Sequence, residues 1–114
     1  MNRQERGWAG ERYVKGLLEK EGWFVVDLAP SFPCDLLGLF RLGDAPEVYK
    51  AIWVEVKVKA HYKPRLTPPE ASFLATRRLQ GDSVRFYWLR REGEGFRVDS
   101  LPVSPPSLPS LVSP

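Results

Sequence analysis

A run from Ala51 to Lys59 alternates apolar and polar side chains, and it limits the possible folds more than any other stretch. One side of the run carries only aliphatic residues: Ile52, Val54, Val56 and Val58. The other side carries Trp53, Glu55, Lys57 and Lys59. Period-two alternation with β-branched residues is typical of a strand. We therefore predict a strand on which Glu55 and Lys57 project side by side, roughly 6–7 Å apart.

The Glu55–Lys57 pair has two interpretations. A carboxylate can hold a cation while a neighbouring lysine holds a water molecule or a developing oxyanion, and this suits a hydrolytic metal site. The same two residues can also form an ordinary ion pair on the solvated outer face of an antiparallel sheet. The rest of the chain has to decide between these readings.

Length and composition bound the class of protein. A chain of 114 residues fits one domain with a modest core. The net charge of +3 and the sequence pI of about 9.2 permit a nucleic-acid partner without requiring one. No apolar run approaches the roughly 20 residues of a membrane span, and no signal peptide is visible. We expect an intracellular protein, cytoplasmic and associated with the nucleoid.

The chain has one cysteine, Cys34, and one histidine, His61. These two cannot form an intrachain disulfide or a structural zinc site on their own. A Cys–His nucleophile pair is formally available, but nothing around Cys34 indicates an activated thiol. Any metal site should consist of oxygen ligands, which favours Mg²⁺, with Mn²⁺ as the other option.

Helix and strand signals alternate along the chain. We predict a helix over residues 3–21, strands over 23–29, 35–41 and 49–59, a second helix over 67–80, and strands over 84–91 and 96–101. Gly22 and Gly81 are the stop signals of the two helices. Thr67 and Glu70 form a capping box around two prolines at the start of the second helix. Residues 1–99 should form the folded domain.

Residues 100–114 are rich in proline and serine and carry no charge. We predict a disordered C-terminal tail. Its apolar residues Leu108, Leu111 and Val112 leave open a second role, in which the tail docks on a protein partner.

Three acids and a lysine fall on neighbouring predicted elements. Glu11 lies on or beside the apolar stripe of the first helix, where it is either paired or at the edge facing water. Asp35 opens the second strand and can approach Glu55 across the sheet. Two carboxylates in contact repel each other unless a cation lies between them, so a divalent metal would explain their placement beside Lys57.

This order of residues resembles the PD-(D/E)XK nuclease superfamily and, within it, the archaeal-type Holliday junction resolvases. The resemblance extends from Gly7 to about Arg91. It rests on GER at 10–12, GWFVV at 22–26, SFPCDLLG at 31–38, WVEVK at 53–57 and LTPPE at 66–70. It implies an α/β fold with a mixed central β-sheet flanked by helices, the restriction-endonuclease-like nuclease fold.

The resemblance also implies the roles of the site residues. Asp35 and Glu55 would bind Mg²⁺, Glu11 would complete the site, and Val56 is included among the metal ligands. Lys57 would activate or steady the hydrolytic water. Resolvases carry a catalytic serine in the loop before the aspartate, and Ser31 is the local candidate. The sequence departs from the family pattern at Cys34, which separates Pro33 from Asp35.

Cationic residues near this site are the candidate DNA contacts, because a nuclease must follow phosphates. They form two groups: Arg3, Arg6 and Arg12 on or near the first helix, and Lys59, His61, Lys63 and Arg65 after the central strand. We assign Arg77 and Arg78 to the solvated surface. Nothing indicates base-specific contacts, so binding should follow DNA structure through the backbone.

By resemblance, the protein is a Mg²⁺-dependent endonuclease and a homodimer that cleaves four-way DNA junctions by paired phosphodiester hydrolysis. Phe73 and Leu74, or the strand Phe86-Tyr87-Trp88, are candidate dimer contacts. One alternative is another repair or restriction-type nuclease of the superfamily. Others are a catalytically silent DNA-binding module and an α/β scaffold whose tail recruits a partner.

Overall fold

The computed structural model describes residues 3–43, 49–59 and 65–100, except the side chains of Arg3, Gln4, Arg6, Lys59 and Ser100. The elements are α1 (Arg3–Lys20), β1 (Phe24–Asp27), β2 (Leu36–Arg41), β3 (Tyr49–Lys59), α2 (Pro68–Leu79), β4 (Ser83–Glu92) and β5 (Gly95–Ser100). Every predicted element is present, with ends shifted by no more than two residues. The tail from residue 101 onward lies outside the described residues.

The strands form one sheet in the order β1-β2-β3-β4-β5. Neighbouring strands are antiparallel except β3 and β4, which are parallel and are connected through α2. A parallel pair needs such a crossover, whereas the antiparallel pairs need only turns. The prediction of an α/β fold with a mixed central sheet flanked by helices is confirmed. No helix among the described residues is long and apolar enough to cross a membrane.

Helix α1 packs on the aliphatic face of β3. Val14 and Leu18 are fully buried against Ile52 and Val54 in the larger core. The helix ends at Gly22, whose φ of 101° is in the left-handed region. There the Gly22 N–H bonds the Glu19 carbonyl and the Trp23 N–H bonds the Leu18 carbonyl, the two bonds of a Schellman motif. This turn sends the chain directly into β1.

Helix α2 packs on the opposite face of the sheet. Leu74 and Ala75 are buried against Cys34 and Val84, with Trp53 at the margin of this smaller core. The capping box predicted from the sequence is present at its N-terminus. Because α2 covers this face, the polar side of β3 is not a solvated outer surface. That interpretation of the Glu55–Lys57 pair is wrong, since Glu55 is only 1% exposed.

Candidate active site

The site lies where β2 ends while β3 continues. The pairing of β2 with β3 begins at Leu36 opposite Val54, so the edge of β3 beyond Val54 has no β2 partner. Asp35, the residue before β2, fills this place, because its Oδ2 accepts a hydrogen bond from the Val56 N–H at 2.8 Å. A carboxylate thus replaces the next rung of the ladder and is held in one orientation.

Glu55 is a buried carboxyl group beside Asp35. Its Oε1 accepts weakly from the Val56 N–H at 3.3 Å, while its buried Oε2 has no donor among the described residues. Burial, a hydrogen bond to Asp35 and the charge of Asp35 raise the pKa of Glu55 to about 11. A hydrogen bond between two carboxyl groups needs a proton on one of them, so the bare site retains a proton that a cation would displace.

Glu11 reaches the same point from α1. Its neighbour Gly10 is buried, and a Cβ there would lie 2.7 Å from Val58 Cγ2 and 3.2 Å from Leu89 Cδ1. Helix and sheet therefore approach closely at this turn, which brings Glu11 within hydrogen-bonding reach of Asp35. Burial, followed by the contact with Asp35, raises the pKa of Glu11 to about 8. Glu11 is half-buried, so it contacts Asp35 and also reaches the solvent.

A cleft of about 310 Å³ opens in front of Glu11 and Asp35. The other residues lining it are Trp8, Arg12, Asp27, Leu28, Ala29 and Pro30. Trp8 is 48% exposed and lies one helical turn before Glu11, and its place at the cleft was not predicted from the sequence. Asp27 was also missed; it ends β1 and pairs with Lys15 at 2.8 Å.

Lys57 lies on the same face of β3 as Glu55, the face that α2 covers, and is near the N-terminus of α2. Its Nζ is 2.9 Å from both carboxylate oxygens of Glu70. Sequence reasoning recognised Glu70 only as a capping residue. The hydrogen bonds of Glu70 therefore connect the helix cap to the lysine of the candidate site.

Cys34 and Ser31 differ in their access to the site. The Cys34 thiol is buried and donates to the Val54 carbonyl at 3.2 Å, and burial raises its pKa to about 12. It therefore remains a thiol and is not an activated nucleophile. Ser31 is exposed in the turn after Pro30, but its side chain is not among those lining the cleft.

The donor set fits a hard divalent cation. Three carboxyl groups, those of Glu11, Asp35 and Glu55, are linked by hydrogen bonds, and one buried oxygen has no donor. Oxygen donors of this kind are what Mg²⁺ and Mn²⁺ prefer. Within the described ranges, no three Cys, His, Asp or Glu residues already form a metal-binding cluster.

The structure describes only part of the predicted DNA-contacting set. Arg12 is exposed and lines the cleft, and Arg65 is exposed before α2. The side chains of Arg3, Arg6 and Lys59, and all of His61 and Lys63, lie outside the described residues. Arg77 packs on the rings of Trp53 and Phe73 and is not simply a solvated charge.

Comparison with known proteins adds a statement about the fold. The sequence matches no protein-family model and no curated protein. The chain resembles the solved structure of Hjc, a Holliday junction resolvase from the hyperthermophilic archaeon Archaeoglobus fulgidus, with a TM-score of 0.59 and 24% sequence identity. The match covers 86% of this chain and 73% of that chain. The two proteins share a fold. The fold expected from the sequence resemblance to archaeal-type resolvases is therefore confirmed.

Proposed function

We propose that this protein is a divalent-metal-dependent endonuclease that cleaves four-way DNA junctions. The observation that carries the proposal is the convergence of Glu11, Asp35 and Glu55 at one edge of β3, with Lys57 on the same strand. A silent DNA-binding module has no use for these acids, because burying carboxyl groups without a cation destabilises the fold. The fold shared with an archaeal junction resolvase supports the choice of substrate.

Glu11, Asp35 and Glu55 would hold the cation, with Mg²⁺ as the first choice and Mn²⁺ as the second. The Val56 carbonyl is the fourth proposed ligand. The N–H and C=O of one strand residue point to the same side, and the Val56 N–H points to Asp35. When bound, such a cation would neutralise charge on the phosphoryl group and lower the pKa of an attacking water.

Residues of the chain itself position the acids and orient the reacting groups. The Val56 N–H orients Asp35, and the close contact of α1 with the sheet at Gly10 positions Glu11. The Lys57 ammonium lies on β3 two residues beyond Glu55, where it would orient water or stabilise an oxyanion. Ser31 stays a proposed catalytic residue on the family resemblance, and it directly follows Pro30, which lines the cleft.

The cleft is the proposed entry for the DNA backbone. Arg12 supplies a guanidinium for a phosphate, and Trp8 supplies an exposed ring beside it. Arg3, Arg6, Lys59, His61, Lys63 and Arg65 remain proposed phosphate contacts. A homodimer would present two such clefts to the two like strands of a junction and allow paired cuts.

The test compares linear duplex, flap and four-way junction DNA, each incubated with the protein and Mg²⁺ and then with a chelator. We expect cutting of the junction in preference to the duplex, and no cutting after chelation. Asp35→Ala and Glu55→Ala should bind the junction but fail to cut it, since both acids are proposed ligands. Cleavage by either variant at a rate near that of the wild type would contradict the metal assignment.

A further inference from the structure

Glu70 occupies a position that its capping role does not fully explain. Its Oε1 accepts from the Thr67 N–H at 2.8 Å, and its own N–H donates to Thr67 Oγ1 at a longer 3.4 Å. A capping glutamate on an exposed helix end usually points to solvent on its other side. Here the same carboxylate also holds Lys57 Nζ, with both oxygens at 2.9 Å.

The Lys57–Glu70 pair is sheltered from solvent. The exposed fractions of the two side chains are 25% and 19%. A partly desolvated, charge-assisted contact is stronger than a pair on the open surface. It also restricts the Lys57 side chain, which would otherwise sample many rotamers. Glu70 is itself anchored, because its carboxylate bonds the backbone at the first turn of α2.

The contact between Lys57 and Glu70 also limits the positions that the Lys57 ammonium can occupy. Lys57 and Glu55 share one face of β3, and Glu55 Oε2 is buried without a donor among the described residues. An unrestrained Lys57 could turn back toward this oxygen and occupy the place proposed for the cation. The Glu70 carboxylate, which also reaches Glu55, instead holds the ammonium beside the N-terminus of α2.

We propose that Glu70 is a positioning residue, which acts on the reaction by holding the Lys57 ammonium in place and by joining it to the N-terminus of α2. The proposal rests on the nuclease function proposed above. The proposal also implies that the N-terminal cap of α2 affects the site, because movement of that helix end would move Lys57.

The test uses two variants that separate the cap from the ion pair. Glu70→Gln keeps a capping-box residue but removes the charge that holds Lys57. Thr67→Ala removes the cap oxygen but leaves the Glu70–Lys57 contact. We expect Glu70→Gln to lower the single-turnover rate of junction cleavage by about 10–100-fold, the range seen for residues that orient a ligand of a site. Its junction Kd should remain near that of the wild type, and the rate is measured well below its Tm because loss of the ion pair also lowers the Tm.

Thr67→Ala should show a different pattern. Its Tm should fall by about 4–8 °C, as expected for loss of a cap worth ~1 kcal/mol in a domain of this size. At temperatures well below its Tm, the cleavage rate of Thr67→Ala should match that of the wild type. If Glu70→Gln lowers the Tm and leaves the rate unchanged, Glu70 is only a cap and the proposal is wrong.

A double variant tests whether Glu70 acts through Lys57. Lys57→Ala alone should reduce the rate by about 100-fold or more, and adding Glu70→Gln should reduce it no further. A further loss equal to that of Glu70→Gln alone would show that Glu70 acts independently of Lys57. A wild-type protein that cuts no DNA with Mg²⁺ would remove the nuclease proposal together with this one, whereas a negative result for Glu70→Gln in an active protein would remove only this one.

Discussion

At the residue scale, the site depends on one carboxylate that substitutes for a backbone group. Asp35 bonds the Val56 N–H where the β2–β3 ladder stops, and it contacts both Glu11 and Glu55. The three acids are therefore close enough to share protons in the bare protein. Glu11 lies on α1, Asp35 directly before β2 and Glu55 on β3, so the site forms only when these three elements have assembled.

The raised pKa values of Glu11 and Glu55 predict how the stability of the metal-free protein changes with pH. Both values rise from an ordinary 4.5, to about 8 and about 11. The folded chain therefore binds more protons than the unfolded chain above pH 4.5, and its stability falls as pH rises from about 4.5 through 8 and beyond. Thermal unfolding in a chelator at pH 5, 7 and 9 should show a falling Tm.

Glu55→Gln is the matched variant for this prediction. It removes the titrating group and keeps the shape, so the Tm should be higher than that of the wild type at pH 9 and should change less with pH. Mg²⁺ should raise the Tm of the wild type most at high pH, where the acids are most easily ionised. A wild-type Tm that rises steadily from pH 5 to 9 in chelator would show that the acids are not destabilised by burial.

Trp8 gives a prediction about DNA binding. Its exposed ring at the rim of the cleft offers a stacking surface for DNA bases. Stacking of a base on an aromatic side chain contributes about 1–3 kcal/mol of binding free energy. Trp8→Ala should weaken junction binding by up to about that amount, whereas Trp8→Phe should keep most of it. Binding is measured with Asp35→Ala in the background to prevent cleavage. Phe24→Ala is the control, because Phe24 is 70% exposed and does not line the cleft; equal losses for both would rule out a specific contact.

At the element scale, the position of α1 decides whether Glu11 reaches the site. Gly10 permits the close contact, since a Cβ there would meet the Val58 and Leu89 side chains. The other face of the sheet is covered by α2, whose capping box also reaches Lys57. Each helix thus contributes to the core and delivers or restrains one residue of the site.

Gly10→Ala should therefore damage both packing and activity. Forcing a methyl group into this contact should destabilise the protein by about 1–3 kcal/mol, partly offset by better helix propensity, and should displace Glu11. Denaturant unfolding and junction cleavage measure the two effects. Gly16→Ala is the control in the same helix, because no atom lies within 4 Å of its added Cβ. It should stabilise the protein by about 0.5–1 kcal/mol and leave cleavage unchanged. Similar behaviour of both variants would contradict the close-contact argument.

At the scale of the whole molecule, the proposed dimer has to use a surface that the monomer leaves available. The described part of the chain excludes several contacts predicted from the sequence. Leu74, Phe86 and Tyr87 are 0%, 1% and 2% exposed, so they belong to the core. Leu74 lies in the smaller core under α2, and both faces of β4 are covered at Phe86 and Tyr87. Among the candidates, only Phe73 and Trp88 are partly exposed.

We expect a two-fold homodimer in solution at micromolar concentration, since one chain offers one set of acids and a junction needs two like strands cut. Light scattering, with and without junction DNA, measures the mass directly. Strand-specific labelling of the junction should show paired, symmetric cuts. A protein that is monomeric both free and on the junction would leave an endonuclease that makes single nicks.

The sequence by itself determined the elements and the residues on them. Alternation over Ala51–Lys59, the glycine stops and the Thr67–Glu70 cap are local signals, so they predict strands and helices without knowledge of the fold. Glu11, Asp35, Glu55 and Lys57 were selected from these patterns together with the family resemblance, and their roles in the site stay predictions. The resemblance also predicted the fold that the structural comparison confirms.

Only the tertiary structure decided that both faces of β3 are covered and what its polar residues contact. Alternation defines two faces but does not say that a second helix covers the polar one, so the burial of Glu55 was not predictable. The Lys57–Glu70 contact spans 13 residues and depends on where α2 begins relative to the sheet. The bond from the Val56 N–H to Asp35 exists because β2 ends while β3 continues, a matter of strand register that no local pattern encodes.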